Sequence, residues 1–313
     1  MAYPLTKYAS DLPDLPDLLR AVAEWKKLRA AIVEKDYYLI RTLHSLRIAH
    51  DGQFILKGGT SLSKGWHLLD RLSEDLDILV RAEGGAAARD TRLRALRDTV
   101  GKTPGLELDS ADKRARSEKG LSRTAVFCYH SVATDLPGLS RDILFEAGYR
   151  GSSAAAVRKE IRSYVAEYAA VNNRLDLAED LQPFDIELQS VRRTFVEKAF
   201  AVHAAYCKNR CENRMRHYYD LFRLCGLDEI KSYVGSDDYQ ACVKDVKRIS
   251  RDQFPDQAVP DADSFSESPA FKPDSSGLGE LERNYRLESD LFFRQQPPLA
   301  DVLARIGELL PNL

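Results

Sequence analysis

The chain of 313 residues contains no run of about 18 or more apolar residues, so nothing in it reads as a membrane span. Cysteine is scarce. The five present (Cys128, Cys207, Cys211, Cys225 and Cys242) show no CxxC spacing, which argues against a disulfide framework and fits a reducing compartment. The opening MAYPLTKYASDLPDL lacks the charged-then-apolar order of a secretion signal, so a cytoplasmic protein without a membrane partner is expected. Charge imbalance is also missing: 46 basic residues against 48 acidic ones leave a formal −2. No global positive field would draw in a nucleic acid, and any such partner has to be held by a local basic patch. Glycine is absent from Ser152 to Cys225, a stretch with the single proline Pro183, whereas 12 of the 17 glycines fall in residues 1–151. That punctuation predicts turn-rich mixed structure first and a largely helical part afterwards.

With 44% hydrophobic and 30% charged residues, the chain has material for a real core, and its length suggests two domains. The expected architecture is α+β and two-lobed, with a mixed-sheet domain over 1–190 and a helical domain over 191–313. Residues 16–48 carry helical spacing. Phe54-Ile55-Leu56 reads as a short buried strand entering a tight turn at Gly58-Gly59, with Thr60 capping a helix that runs to Leu69. Further strands are expected over 76–80, 124–131 and 142–147. An amphipathic helix starts at Val191, another spans Arg216–Cys225, and helices return from Leu281 and over 299–310. Residues 252–279, with four prolines and many acids, read as an exposed loop. The basic stretch Lys113 to Arg123 reads as a solvated loop, with a phosphate-contacting loop as the alternative.

The chemistry concentrates in Lys57-Gly58-Gly59-Thr60-Ser61 and in Ser73-Glu74-Asp75-Leu76-Asp77. Strand side chains alternate with period two, so Asp75 and Asp77 face the same side and repel each other. A hard cation such as Mg²⁺, held by one or two carboxylates and substrate phosphates, relieves that repulsion. The double glycine brings backbone N–H groups to a helix N-terminus, where an anion is favoured. Together these outline a nucleoside triphosphate site. Glu146, set among Ile143, Leu144 and Phe145, is the third carboxylate, a candidate to share a metal and deprotonate an attacking hydroxyl; Glu187 competes for that role. Lys198 lies at the buried margin of its helix, where it either snorkels or faces a ligand. Asp220 reads equally well as a surface ion-pair partner of Arg216 or Arg223. His203, Cys207 and Cys211 share a helix face but lack a fourth zinc ligand, so packing is preferred for them.

The stretches LKGGTSLSKGWHLLDRLSEDLDI, RTFVEKAFAVH and RHYYDLFRL, with VEKDYY before them and the segment from Tyr285 to Phe293 after, resemble the AbiEii family of nucleotidyltransferase toxins. That family is related to the mycobacterial MenT toxins within the polymerase β superfamily. The resemblance implies a nucleotidyltransferase core in the first lobe, with Asp75 and Asp77 as metal ligands and Gly58, Gly59, Thr60, Ser61 and Ser73 on the nucleotide phosphates. It also implies that Lys198 faces the triphosphate and that Asp220 orients the site by holding Lys198 or Arg216.

The expected activity is the toxin half of a toxin–antitoxin or phage-defence pair, transferring a nucleoside monophosphate from an NTP to an acceptor hydroxyl. Two Mg²⁺ ions, or Mn²⁺, would serve as cofactors. A cognate antitoxin and the 3′ end of tRNA are the expected partners, with Arg192, Arg193, Arg214 and Arg216 and their basic neighbours along an RNA backbone. Transfer to a small molecule or protein side chain is one alternative. A non-catalytic module that binds NTP or antitoxin is another.

Overall fold

The computed structural model describes residues 7–81, 84–136, 139–149, 151, 156–253 and 265–310. These gather into two compact units, one drawn from Met1–His67, Ser73–Tyr149 and Ala156–Leu188, the other from Leu68–Leu72, Arg150–Ala155 and Gln189–Leu313.

The first unit opens with α1 (Leu15–Lys26) and α2 (Ala30–His50). One helical stretch over 16–48 was expected, but the chain breaks at Lys27, whose left-handed φ of 57° ends α1. A new helix starts because Asp135 caps it, accepting from the backbone N–H groups of Ala30 and Ala31 at 2.7 and 2.9 Å. The polar residues of VEKDYY lie inside. Glu34 accepts from the N–H groups of Val132 and Ala133, Lys35 donates to the Ser140 carbonyl, and Asp36 pairs with Lys64.

After β1 (Phe54–Leu56) comes a helical segment, α3 (Gly58–Thr60), continued by a wider π turn over Ser61–Gly65. Next are β2 (Asp75–Val80), α4 (Ala86–Gly101), β3 (Leu106–Asp109), β4 (Arg116–Glu118), β5 (Ser122–Tyr129), β6 (Asp142–Gly148), β7 (Ala156–Ile161), α5 (Tyr164–Val171) and β8 (Phe184–Gln189). The sheet runs β3-β5-β6-β2-β1-β8-β7, with β4 on β5. Strands β2 and β6 are parallel neighbours, and β1 lies antiparallel to β2. The expected strands are all present. The basic stretch from Lys113 is not a single loop: it contains β4 and the start of β5, Arg114 pairs with Asp112 and Asp142, and Arg123 pairs with Asp90.

The second unit is helical, as expected: α6 (Val191–Cys207), α7 (Met215–Cys225), α8 (Asp228–Tyr233), α9 (Asp237–Gln253), α10 (Ser275–Arg286) and α11 (Leu299–Gly307). Ser190 caps α6 by accepting from the Arg193 N–H. The exposed loop expected over 252–279 is corrected at both ends. Its start is still α9, and residues 265–271 bury Phe265, Ser268, Ala270 and Phe271. Apolar burial outweighs the proline content there: Phe265 packs edge-on to Phe200, and Tyr218 donates to the Ala270 carbonyl. Residues 254–264 lie outside the described residues. Helix α10 starts at Ser275 rather than Leu281, because Asp274 accepts from the Gly277 N–H.

Candidate active site

In the first unit the site is built where β1 hands over to the double glycine. Leu76 and Ile78 are fully buried, so strand alternation puts Asp75 and Asp77 together on the other face, both half-buried. The Lys57 N–H donates to the Asp77 carbonyl at 3.0 Å, setting the turn against β2. Gly58 has φ +71°, and a Cβ added there would sit 1.9 Å from Asp77 Oδ2. Only glycine meets both demands. Thr60 Oγ1 donates to the Asp75 carbonyl at 2.7 Å and lies 3.0 Å from Ser73 Oγ, so the double-glycine segment is tied to the acid strand at both acids.

Glu146 is the direct partner of Asp77 across the parallel pair, with Leu144 opposite Asp75. Glu146 is exposed at its tip while the sheet face encloses the base of its side chain. Burial first, then the charges of Asp77 and Asp75, push its carboxyl up to about 7 against the pull of Lys57.

Among the described residues no three His, Cys, Asp or Glu side chains are already gathered around an ion position. The donor chemistry nevertheless fits a hard divalent cation: three carboxylates share one sheet face, and their mutual repulsion, seen in the raised Glu146, is what such a cation would relieve. Glu187 has a different use, since Arg81 pairs with it at 3.1 Å.

The structure corrects two expected phosphate contacts. Thr60 is the third residue of the helical segment rather than its cap, and the segment stops at Gly65, before the expected Leu69. Thr60 is buried with its hydroxyl turned onto Asp75, and Ser61 is fully buried. Their hydroxyls are not presented to a ligand.

In the second unit, Lys198 does not snorkel. It is 6% exposed, with its ammonium 2.8 Å from Asp220 Oδ2 and 3.1 Å from His217 Nδ1. Asp220 is fully buried, so the surface ion pair that the helix spacing allowed is ruled out. Arg216 reaches Glu288 and Arg223 reaches Asp70 instead. Burial alone would raise the Asp220 carboxyl, but Arg71 and then Lys198 hold it well below the usual carboxylate range. His217 is pushed down to about 3, mainly by burial and by Lys198, so it is a neutral acceptor there.

Arg71 and His217 were not singled out in the sequence. The available signal for Arg71 was a basic residue among Leu68, Leu69 and Leu72, and for His217 its place one turn before Asp220. Of the basic residues assigned to RNA, Arg193 is buried between Glu197 and Asp245, which removes it from that role. Arg192 pairs with Glu229, whereas Lys208, Arg210 and Arg214 are exposed. His203 is bonded to Ser268 Oγ at 2.7 Å, in line with packing. No helix among the described residues is long and apolar enough to cross a membrane.

The fold is similar to that of MenT4, a nucleotidyltransferase toxin from Mycobacterium tuberculosis H37Rv. That match has a TM-score of 0.60 at 15% identity and covers 94% of this chain and 90% of that one. JHP933 from Helicobacter pylori matches with a TM-score of 0.49 at 16% identity, covering 90% of each chain. No curated protein matches by sequence. The model of the family described as "Nucleotidyl transferase AbiEii toxin, Type IV TA system" matches residues 41–305, and the chain belongs to this family of nucleotidyltransferase toxins.

Proposed function

We propose that this nucleotidyltransferase moves a nucleoside monophosphate from an NTP to the 3′-terminal hydroxyl of tRNA, releasing pyrophosphate and leaving an acceptor end that cannot be aminoacylated. The observation that carries the reading is the face shared by Asp75, Asp77 and Glu146, set against a Gly58 that has no room for a side chain. Asp75, Asp77 and Glu146 would hold Mg²⁺ or Mn²⁺, which when bound supplies charge stabilisation for the attacking and leaving oxygens. The backbone at Gly58-Gly59 and the Ser73 hydroxyl are assigned to the phosphates, since the Thr60 and Ser61 hydroxyls are turned inward. Glu146, on the same face as the two aspartates, is assigned to take the proton of the attacking hydroxyl. Lys198 is assigned to the triphosphate, with Asp220 keeping it in place. As the toxin of a type IV toxin–antitoxin family, the protein has an antitoxin counterpart, and arrest of translation would be its effect.

The test is to incubate the protein with total RNA and each radiolabelled NTP in turn, alongside Asp75→Ala. Label in a tRNA-sized species, with pyrophosphate release from wild type alone, is expected. Label on protein or a small molecule with unmodified tRNA would overturn the acceptor. Background release from both proteins would leave a non-catalytic binding module.

A further inference from the structure

We propose that Arg71 is a positioning residue for Lys198: its guanidinium fixes the plane of the Asp220 carboxylate, and that carboxylate fixes the Lys198 ammonium. The inference rests on the assignment of Lys198 to the triphosphate. Arg71 Nε donates to Asp220 Oδ1 at 2.8 Å and Nη2 to Oδ2 at 2.7 Å, a two-pronged contact that leaves the carboxylate one orientation. Lys198 then meets Oδ2 at 2.8 Å and donates to His217 Nδ1 at 3.1 Å, so two directions of its ammonium are set. Arg71, Lys198 and Asp220 are all buried.

A purely structural role explains this less well. The segment Leu68–Leu72 is already held by backbone bonds that need no guanidinium. The Leu72 N–H donates to the Leu291 carbonyl and the Phe293 N–H to the Asp70 carbonyl, both at 2.8 Å, while the Asp70 N–H donates to the Tyr219 hydroxyl at 3.1 Å. A buried ion pair is a weak source of stability compared with apolar side chains of the same size. What an arginine supplies beyond them is direction and a permanent charge. Among the groups that keep the buried Asp220 ionised, Arg71 acts most strongly. Without it, Lys198 would face a carboxylate free to rotate and easier to protonate.

The experiment is a double-mutant cycle in the nucleotide-transfer assay, with Arg71→Met, Lys198→Met and the double variant, plus Arg71→Lys, which keeps the charge and loses the fork. If Arg71 acts through Lys198, adding Arg71→Met to Lys198→Met costs little further activity, whereas two independent roles would multiply. Arg71→Lys is expected to lower kcat about tenfold or more while the KM for NTP changes less than about threefold, the pattern expected when a transition-state interaction is removed. Multiplying losses in the cycle would overturn the proposal. So would an Arg71→Lys variant with wild-type kcat, which decides the matter even if Arg71→Met fails to fold or Lys198→Met has no measurable rate. A wild type that transfers no nucleotide would instead count against the proposed function.

Discussion

Glu146 and Asp77 stand side by side in the parallel pairing of β2 with β6, with Asp75 on the same face. Burial and like charge on one sheet face both disfavour the ionised form of Glu146. The folded-state carboxyl of Glu146 titrates at about 7 against 4.5 for the free side chain. Between those values the folded protein binds the extra proton, so stability falls as pH rises through that window. Thermal unfolding from pH 5 to 8 in a chelator should show this decline in wild type, and Glu146→Gln should flatten it. Millimolar Mg²⁺ should raise the wild-type melting temperature more at pH 8 than at pH 5, and more than in Glu146→Gln. Equal Mg²⁺ effects in both proteins would exclude Glu146 as a ligand.

Gly58→Ala should be severe for a local reason. The new methyl would collide with Asp77 Oδ2 at a position whose φ of +71° already disfavours alanine, so the turn and the acid must separate. We expect transfer activity to fall at least ~100-fold, since misplacing a reacting group by about 1 Å has that effect. Gly52→Ala is the control. It has a similar φ of +73° with open space around it, so it bears the backbone cost alone and should keep its activity.

Asp220 and Lys198 should separate stability from activity. Asp220→Asn leaves Arg71 and Lys198 buried without their anion, and uncompensated buried charge costs roughly 3–5 kcal/mol. Lys198→Met leaves Asp220 with its two-pronged Arg71 contact, so chemical denaturation should show less than half that loss while transfer activity falls about 100- to 1,000-fold. Comparable destabilisation by both would mean that Lys198 serves mainly as structural neutralisation.

The legibility of these features follows from their range. Alternation in DLDIL and the double glycine are local signals, so β2, the turn and the shared face of Asp75 and Asp77 could be read directly from sequence. The break between α1 and α2 could not, because the cap at Ala30 is Asp135, more than a hundred positions away. Lys198 and Asp220 were ambiguous for the same reason: helix spacing shows Arg216 and Arg223 near Asp220, but the partner that decides its role is Arg71, 149 positions distant. Residues 265–271 misled because the prolines and acids of 252–279 mark the whole stretch as a loop, while burial depends on Phe265 and Phe271 finding an apolar surface supplied by other helices.

The exposed and buried arginines of the helical unit allow the RNA reading to be tested without touching the acids. Lys208, Arg210 and Arg214 reach solvent, whereas Arg193 is occupied by Glu197 and Asp245. A Lys208→Glu, Arg210→Glu, Arg214→Glu protein should bind tRNA more weakly. Its plot of log Kd against log salt should be shallower by about 0.7–0.9 for each phosphate that the variant no longer neutralises. Arg193→Ala strands two acids and should cost stability by about 1–3 kcal/mol with the salt slope unchanged. The contrast is informative because all four side chains carry the same charge and fall within 22 positions of one another, so sequence proximity alone predicts one shared effect. An unchanged slope in the triple variant would move the RNA path off this surface, whatever the acceptor of the transfer reaction.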